Sequence, residues 1–239
     1  MPSRRLRFVP ILTLLLALLA LAGVAAHRLA LQLGLAELQA TGLHRLELYT
    51  ASLEREIGKY AFLPGTLGLE RDVLALLGSQ GDKRLATQVN AYLEQLNERA
   101  GTLSIYVIDT TGRVVAASNW RRADSFIGED LAFRPYFREA MESGSGRFFG
   151  VGTTRGEPGY YLASTLSDER QTLGVAVIKV SLEQLEKSWT TVEAPAMVSD
   201  ENGVVILGSV ADWKFTTLRR LDEATRQAFD QTQQYNRRA

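Results

Sequence analysis

Phe133-Arg134-Pro135-Tyr136-Phe137 and Val175-Ala176-Val177-Ile178-Lys179 bracket the stretch that decides the fold, Ser118 to Lys179. The first places one cation among aromatic residues on a short helical segment. The second is an apolar strand that ends in another cation. Between them lie the Gly/Thr-rich Gly150-Val151-Gly152-Thr153-Thr154 and a strand pattern, Gly159-Tyr160-Tyr161-Leu162-Ala163-Ser164. Leu173, Val175 and Val177 share a strand face with Lys179, while Ala176, Ile178 and Val180 take the other. A strand apolar on both faces is covered on both sides. A lysine there must reach solvent, pair internally or meet a ligand. Cations, hydroxyls and aromatic walls in one stretch imply a receptacle for a small anion.

Outward from this stretch, β patterns alternate with helical ones. Leu103 to Ile108, the turn Asp109-Thr110-Thr111-Gly112 and Arg113 to Ala117 read as a hairpin. A helix is expected over Leu131 to Met141, broken by Gly144-Ser145-Gly146. Three strands follow, at Arg147 to Thr153, Tyr160 to Leu166 and Leu173 to Val180, and then a short helix at Leu182 to Trp189. Upstream, Leu69 to Leu77 and the run Leu85, Val89, Tyr92, Leu93, Leu96 mark two helices, the second ended by Gly101. The expected class is α+β: an antiparallel sheet of five strands with flanking helices.

A repeat sits downstream. Val107-Ile108-Asp109-Thr110-Thr111-Gly112-Arg113-Val114-Val115-Ala116-Ala117-Ser118 is echoed by Val198-Ser199-Asp200-Glu201-Asn202-Gly203-Val204-Val205-Ile206-Leu207-Gly208-Ser209, with Trp120 and Trp213 after the two copies. A second, similar unit begins here. The polar residues after it, through Arg237-Arg238, hold no further strand pair, so that unit is expected to be incomplete.

At the other end, Arg4, Arg5 and Arg7 precede an apolar run from Phe8 to Ala26. It approaches the roughly 20 residues of a membrane-spanning helix. The rival is a cleaved signal peptide ending near Val24-Ala25-Ala26. The length of the run and the helical pattern leading out of it favour an uncleaved anchor. The arginines hold the N-terminus in the cytoplasm and send the rest outside. Leu31, Leu35, Leu38, Leu46, Tyr49, Leu53, Ile57 and Tyr60 then trace an amphipathic stem, stopped by Pro64-Gly65, whose apolar stripe asks for a partner such as a second copy. The expected division is 1–7 cytoplasmic, 8–26 transmembrane, 27–63 stem, 64–189 a membrane-distal ligand-binding domain and 190–239 the start of a membrane-proximal one.

Composition excludes several classes. Lys+Arg and Asp+Glu are both 27 in 239 residues, so no basic field recruits nucleic acid. Cysteine is absent and the two histidines, His27 and His44, are far apart, which leaves no metal cluster. The Gly150-to-Gly156 segment lacks the Gly-Lys-Ser/Thr of a nucleotide loop. No nucleophile–base pair is visible, so neither a catalytic residue nor a cofactor is expected, and a periplasmic hydrolase is disfavoured. The plainest alternative for Arg134 is a surface pair with Glu139 or Glu142; for Lys179 it is snorkelling at the strand end. Of Tyr160 and Tyr161, alternation gives one to the core and one to the pocket.

Asn119-Trp120, Ser125-Phe126-Ile127-Gly128, Phe133 to Phe137, Gly150 to Thr154 and Gly159-Tyr160-Tyr161, in that order, resemble the sensor region of C4-dicarboxylate sensor histidine kinases of the DctB type. The resemblance covers nearly the whole chain. It implies a transmembrane helix, a helical stem and two stacked PAS-like (Cache, or PDC) domains in the periplasm of the bacterial inner membrane. It further implies that the distal domain binds succinate, fumarate or malate. By position, Arg134 matches a carboxylate-binding arginine, Lys179 the lysine for the other carboxylate, and Thr153 and Thr154 hydrogen-bonding positions; Tyr161 is the tyrosine given to the pocket. A homodimer through the stem and a dicarboxylate transporter as co-sensor are the further partners implied. Two departures stand out. Leu131 replaces a tyrosine of many members, and the second transmembrane helix, phosphoacceptor histidine and ATP-binding domain are missing. The sensor of a chemoreceptor or cyclic-nucleotide enzyme, and a non-signalling gene fragment of the kinase, are the alternatives.

Overall fold

The computed structural model describes residues 8–79, 81–190 and 194–236. The arginines before Phe8, Gln80 and Arg237-Arg238 lie outside them. The chain divides into two compact units, Met1–Ser52 and Leu53–Ala239. The first is dominated by α1 (Phe8–Gly58), one continuous helix running through the end of the apolar segment and through Gly42. Ile11, Leu15, Leu19 and Val24 are all exposed in the single chain, and the apolar window has a mean hydropathy of 2.1. Among the described residues this is one helix long and apolar enough to cross a membrane. A helix apolar on every side and uncovered by protein suits lipid.

Where the stem stops differs from expectation. α1 ends at Gly58, and Pro64 with Gly65 lies inside a single further turn, α2 (Leu63–Thr66). Proline within the first turn of a helix is tolerated, because its missing N–H would have had no intrahelical acceptor there. α3 (Arg71–Gly78) and α4 (Lys83–Ala100) follow. Asp82 caps α4 by accepting from the amides of Arg84 and Leu85, and Gly101 ends it in the left-handed conformation (φ 66°).

The expected five-stranded antiparallel sheet is present. It consists of β1 (Ser104–Asp109), β2 (Val114–Ala117), β3 (Ser145–Val151), β4 (Pro158–Ser167) and β5 (Thr172–Val180), in the order β2-β1-β5-β4-β3. Strand alternation sorts its residues into two cores. On one face Ile105, Val107, Ala176, Ile178 and Val180 pack with Val73, Leu76, Val89 and Leu93 of α3 and α4. On the other, Tyr106, Ile108, Val175, Val177 and Phe148 pack with Tyr136, Phe137 and Ala140 of α5 (Pro135–Ser143). The helix expected from Leu131 starts instead at Pro135, whose ring sets the first turn and biases Arg134 before it to extended backbone (φ −73°, ψ 133°). β3 runs so close to α5 that a Cβ on Gly146 would stand 2.2 Å from the Tyr136 carbonyl oxygen.

After α6 (Glu183–Trp189), β6 (Met197–Ser199) and β7 (Val205–Gly208) form a separate two-stranded sheet, and α7 (Glu223–Thr232) closes the described chain. The repeat has a physical basis. Asp109 Oδ1 accepts from the amides of Thr111 and Arg113, and Asp200 Oδ1 from those of Asn202 and Val204. Gly112 and Gly203 both take positive φ, 95° and 86°. Ser118 and Ser209 each accept a backbone amide across their own hairpin, from Ile105 and Ala196. Each recurring Asp, Gly and Ser therefore makes the same bond or bend twice.

Ile178 is fully buried and Leu69 is 84% exposed. Ile178→Ala is expected to lower the unfolding free energy of the full chain by about 2–5 kcal/mol in urea titration. Leu69→Ala should stay within about 0.5 kcal/mol.

Candidate ligand-binding site

Antiparallel register lays a row of side chains across one sheet face. Ser104 on β1 pairs with Lys179 on β5, Lys179 with Tyr161 on β4, and Tyr161 with Phe148 on β3. Ser104, Lys179 and Tyr161 floor a cavity. Its walls are Tyr106, Phe126, Glu129, Leu131, the start of α5 at Arg134 and Tyr136, and the turn from Gly152 to Arg155. The five residues singled out in the sequence, Arg134, Lys179, Thr153, Thr154 and Tyr161, all line it. The cavity is tight, about 20 Å³, the room of roughly one water.

Arg134 is 2% exposed and meets neither Glu139 nor Glu142. Its Nη1 donates to the carbonyls of Thr232 (3.2 Å) and Gln233 (3.1 Å), and its Nη2 to that of Val151 (3.0 Å). The rings of Phe133 and Phe148 lie 5.3 and 5.8 Å from the guanidinium carbon. A guanidinium has five N–H groups. Nε–H and one Nη2 hydrogen find no acceptor among the described residues, and that edge is the fork a carboxylate fills with two bonds.

Lys179 is 3% exposed, so it does not snorkel to the surface. Its Nζ donates to the Glu157 carbonyl oxygen (2.6 Å) and lies 5.6 Å from the centre of the Tyr161 ring. The side chain threads between two glycines. A Cβ on Gly159 would stand 2.5 Å from its Cε, and one on Gly152 3.2 Å from its Nζ. Burial pushes its pKa down from 10.5 to about 8; the Glu157 carboxylate opposes this, and Arg155 and Arg134 add to it. Neither cation is ion-paired to a carboxylate among the described residues.

The hydroxyl side is crowded with tyrosines. Tyr161 stacks on Tyr136 (5.0 Å, 9°), whose hydroxyl bonds that of Tyr106 (2.8 Å). Burial raises all three above the usual phenol value, Tyr136 to about 12. Thr154 donates to Glu129 Oε1 (2.5 Å). Arg155 Nε lies 3.0 Å from an Asp124 carboxylate oxygen. Tyr160 packs with the opposite face, so Tyr161 is the pocket tyrosine. Leu131 supplies an apolar wall and no hydroxyl.

Ser104, Tyr106, Glu129 and Arg155 escaped the sequence reading. Ser104 is the most telling of them. It is 2% exposed, and its Oγ has no hydrogen-bond partner among the described residues. A buried hydroxyl without a partner costs about 1–3 kcal/mol. Strand parity carried the signal, since Ser104 alternates with Tyr106 and Ile108 onto one face. The pairing that sets it beside Lys179 was not readable.

A sheet floor bearing Lys179, closed by the helix start that carries Arg134 and by a glycine-rich turn, defines a sensor domain of PAS-like fold. Comparison with known proteins names the family. No protein-family model matches the chain. The crystal structure of the V. cholerae histidine kinase DctB sensor domain superposes with a TM-score of 0.76 at 31% identity, covering 81% of this chain and 75% of that one. The C4-dicarboxylate transport sensor protein DctB of Pseudomonas aeruginosa is 41% identical over 181 residues, and that of Rhizobium meliloti 37% over 142. These alignments take in 76% and 59% of this chain but only 30% and 23% of those proteins. The ligand-binding domain of the Campylobacter jejuni chemoreceptor Tlp3, 12% identical with a TM-score of 0.57 over 76% of this chain and 73% of that one, shares the fold. The chain belongs to the family of DctB histidine-kinase sensor domains.

Lys179 generates a pH signature. Its proton is held less tightly folded (about 8) than in its ordinary state (10.5). Between these values the unfolded chain binds more protons, so stability rises with pH. The buried tyrosines act oppositely, but only above about pH 10. The urea midpoint is expected to climb from pH 8 to 10 in the wild type and to stay flat there in Lys179→Met.

Proposed function

We propose that residues 64–189 bind a C4-dicarboxylate, succinate, fumarate or malate, between Arg134 and Lys179. The observation that carries this reading is the pair of buried cations lining one cavity with no carboxylate partner among the described residues. Arg134 takes one carboxylate on its Nε/Nη2 edge, and Lys179 takes the other. Thr153, Thr154 and the Ser104 hydroxyl supply neutral hydrogen bonds, and Tyr161 forms an aromatic wall. A monocarboxylate satisfies one cation and leaves the other buried and unpaired, a penalty of a few kcal/mol. The present cavity holds about one water, so a diacid requires it to widen.

Glu129 favours a second reading. Its carboxylate lines the same cavity and suits an ammonium group, which makes L-aspartate, a four-carbon diacid with an amine, the competing ligand.

The wider arrangement belongs to the same proposal, supported by the apolar α1 and by the likeness to the DctB relatives. The apolar start of α1, residues 8–26, anchors the chain in the inner membrane with 27–239 in the periplasm, 27–63 as the stem, 64–189 as the distal sensor and 190–239, with the β6–β7 hairpin, opening a proximal domain. Two copies pair through the stem. Ligand closure shifts the balance of stem arrangements by no more than its differential affinity for them, and a dicarboxylate transporter acts as co-sensor.

Calorimetric titration of the full chain in detergent with succinate, fumarate, malate, citrate, acetate and L-aspartate tests this. Wild type should bind the C4 diacids and not acetate. Arg134→Ala and Lys179→Ala should each lose binding at least a hundredfold, and Ser104→Ala about fivefold, near 1 kcal/mol. A variant at Arg134 or Lys179 that binds as wild type removes that residue from the site. Preference for L-aspartate, lost in Glu129→Gln, installs the second reading.

A further inference from the structure

Arg134 has two neighbourhoods. Its side chain lines the cavity, and its Nη1 grips the end of α7. The carbonyls it holds belong to Thr232, the last residue of α7, and Gln233, which caps the helix in the left-handed conformation (φ 50°). The last carbonyls of a helix have no intrahelical donors and carry partial negative charge. A cation set against them is held in place.

The segment that follows is seated on the outer edge of the sensor sheet. Val151 of β3 donates its amide to the Gln234 carbonyl (2.7 Å), and Gln234 Nε2 donates to the Phe149 carbonyl (3.3 Å). Tyr235 is 2% exposed, edge-on to Phe215 and Phe229. Its hydroxyl donates to Asp200 Oδ2 (2.7 Å), while Oδ1 of the same carboxylate holds the turn between β6 and β7. A continuous chain of bonds therefore runs from the cavity through Arg134 and residues 232–235 to the second hairpin.

We infer that Gln234 and Tyr235 are positioning residues for the ligand: their seat on β3 orients Arg134, and ligand binding in turn tightens that seat. This rests on the reading that Arg134 holds a ligand carboxylate. An arginine side chain has several rotatable bonds, and freezing them on binding weakens affinity. Two carbonyls on Nη1 and one on Nη2 fix the guanidinium beforehand and leave Nε–H and one Nη2 hydrogen without an acceptor among the described residues. Reciprocity follows: whatever the seated segment adds to ligand affinity, the ligand adds to the stability of the seat. The outlet from the pocket is then this seam, at the end of α7.

The test combines succinate titration and amide exchange on the full chain in lipid nanodiscs. Asp200→Ala, which removes the acceptor of the Tyr235 hydroxyl, is expected to weaken succinate about tenfold. Asp200→Asn, which keeps one oxygen for the turn amides and an NH2 that can donate to the Tyr235 oxygen, should stay within about twofold, and Tyr235→Phe, which keeps the ring, should fall between. Saturating succinate should slow exchange at the Val151 amide and across 229–236 in wild type but not in Asp200→Ala. A purely structural role would lower the melting midpoint of Asp200→Ala yet leave affinity and the succinate-induced protection intact. Succinate binding that is equal in wild type, Asp200→Ala and Tyr235→Phe, with exchange at Val151 and 229–236 unmoved by ligand, overturns the coupling alone. Absence of binding in wild type removes the ligand reading and the coupling with it.

Discussion

Burial of positive charge with no carboxylate ion pair among the described residues is the constraint on which the rest of this domain turns. Moving a charge out of water is expensive, and proteins ordinarily offset it with a counter-charge. Among the described residues the hydrogen bonds of Arg134 and Lys179 go to backbone carbonyls, aromatic faces lie beside them, and neither forms an ion pair with a carboxylate. Lys179 registers the strain as a depressed pKa. An incoming dianion relieves both cations at once, which makes charge compensation the natural source of selectivity for diacids over monoacids.

The scaffold is arranged to hold those cations in place. Two apolar cores clamp the five-stranded sheet, so the register carrying Ser104, Lys179 and Tyr161 in one row cannot slip without turning a whole strand face outward. Gly152 and Gly159 let the lysine pass where any Cβ would crowd it. Pro135 starts α5 and leaves Arg134 on extended backbone at its head. The same arginine is bonded to the end of α7, so the pocket and the second hairpin share a side chain.

Periodicity and punctuation made most of the fold legible. The face assignment along β5 holds for Val175 and Val177 on one side and Ala176, Ile178 and Val180 on the other, because alternation needs only a strand. The hairpin repeat was visible because its Asp, Gly and Ser each make an obligatory bond or bend. Helix starts were less legible: Pro64 and Pro135 mark the beginnings of turns, and a pattern of apolar residues does not reveal which side of a proline is helical. In the site, charged and hydroxyl residues in a conspicuous motif were found. Ser104 and Tyr106 were missed because strand pairing between distant segments sets their neighbours. The bonds from Arg134 to Thr232 and Gln233 span the sensor sheet and α7, and no local pattern announces them.

The most direct measurement of the central claim is the titration midpoint of the Lys179 ammonium, followed by NMR of the labelled side chain with and without saturating succinate. Charge compensation by the diacid requires the midpoint to move upward from about 8, by an amount that disappears when Arg134→Ala abolishes binding. A midpoint unchanged while succinate is demonstrably bound would show that the ligand does not reach Lys179, and would contradict the account.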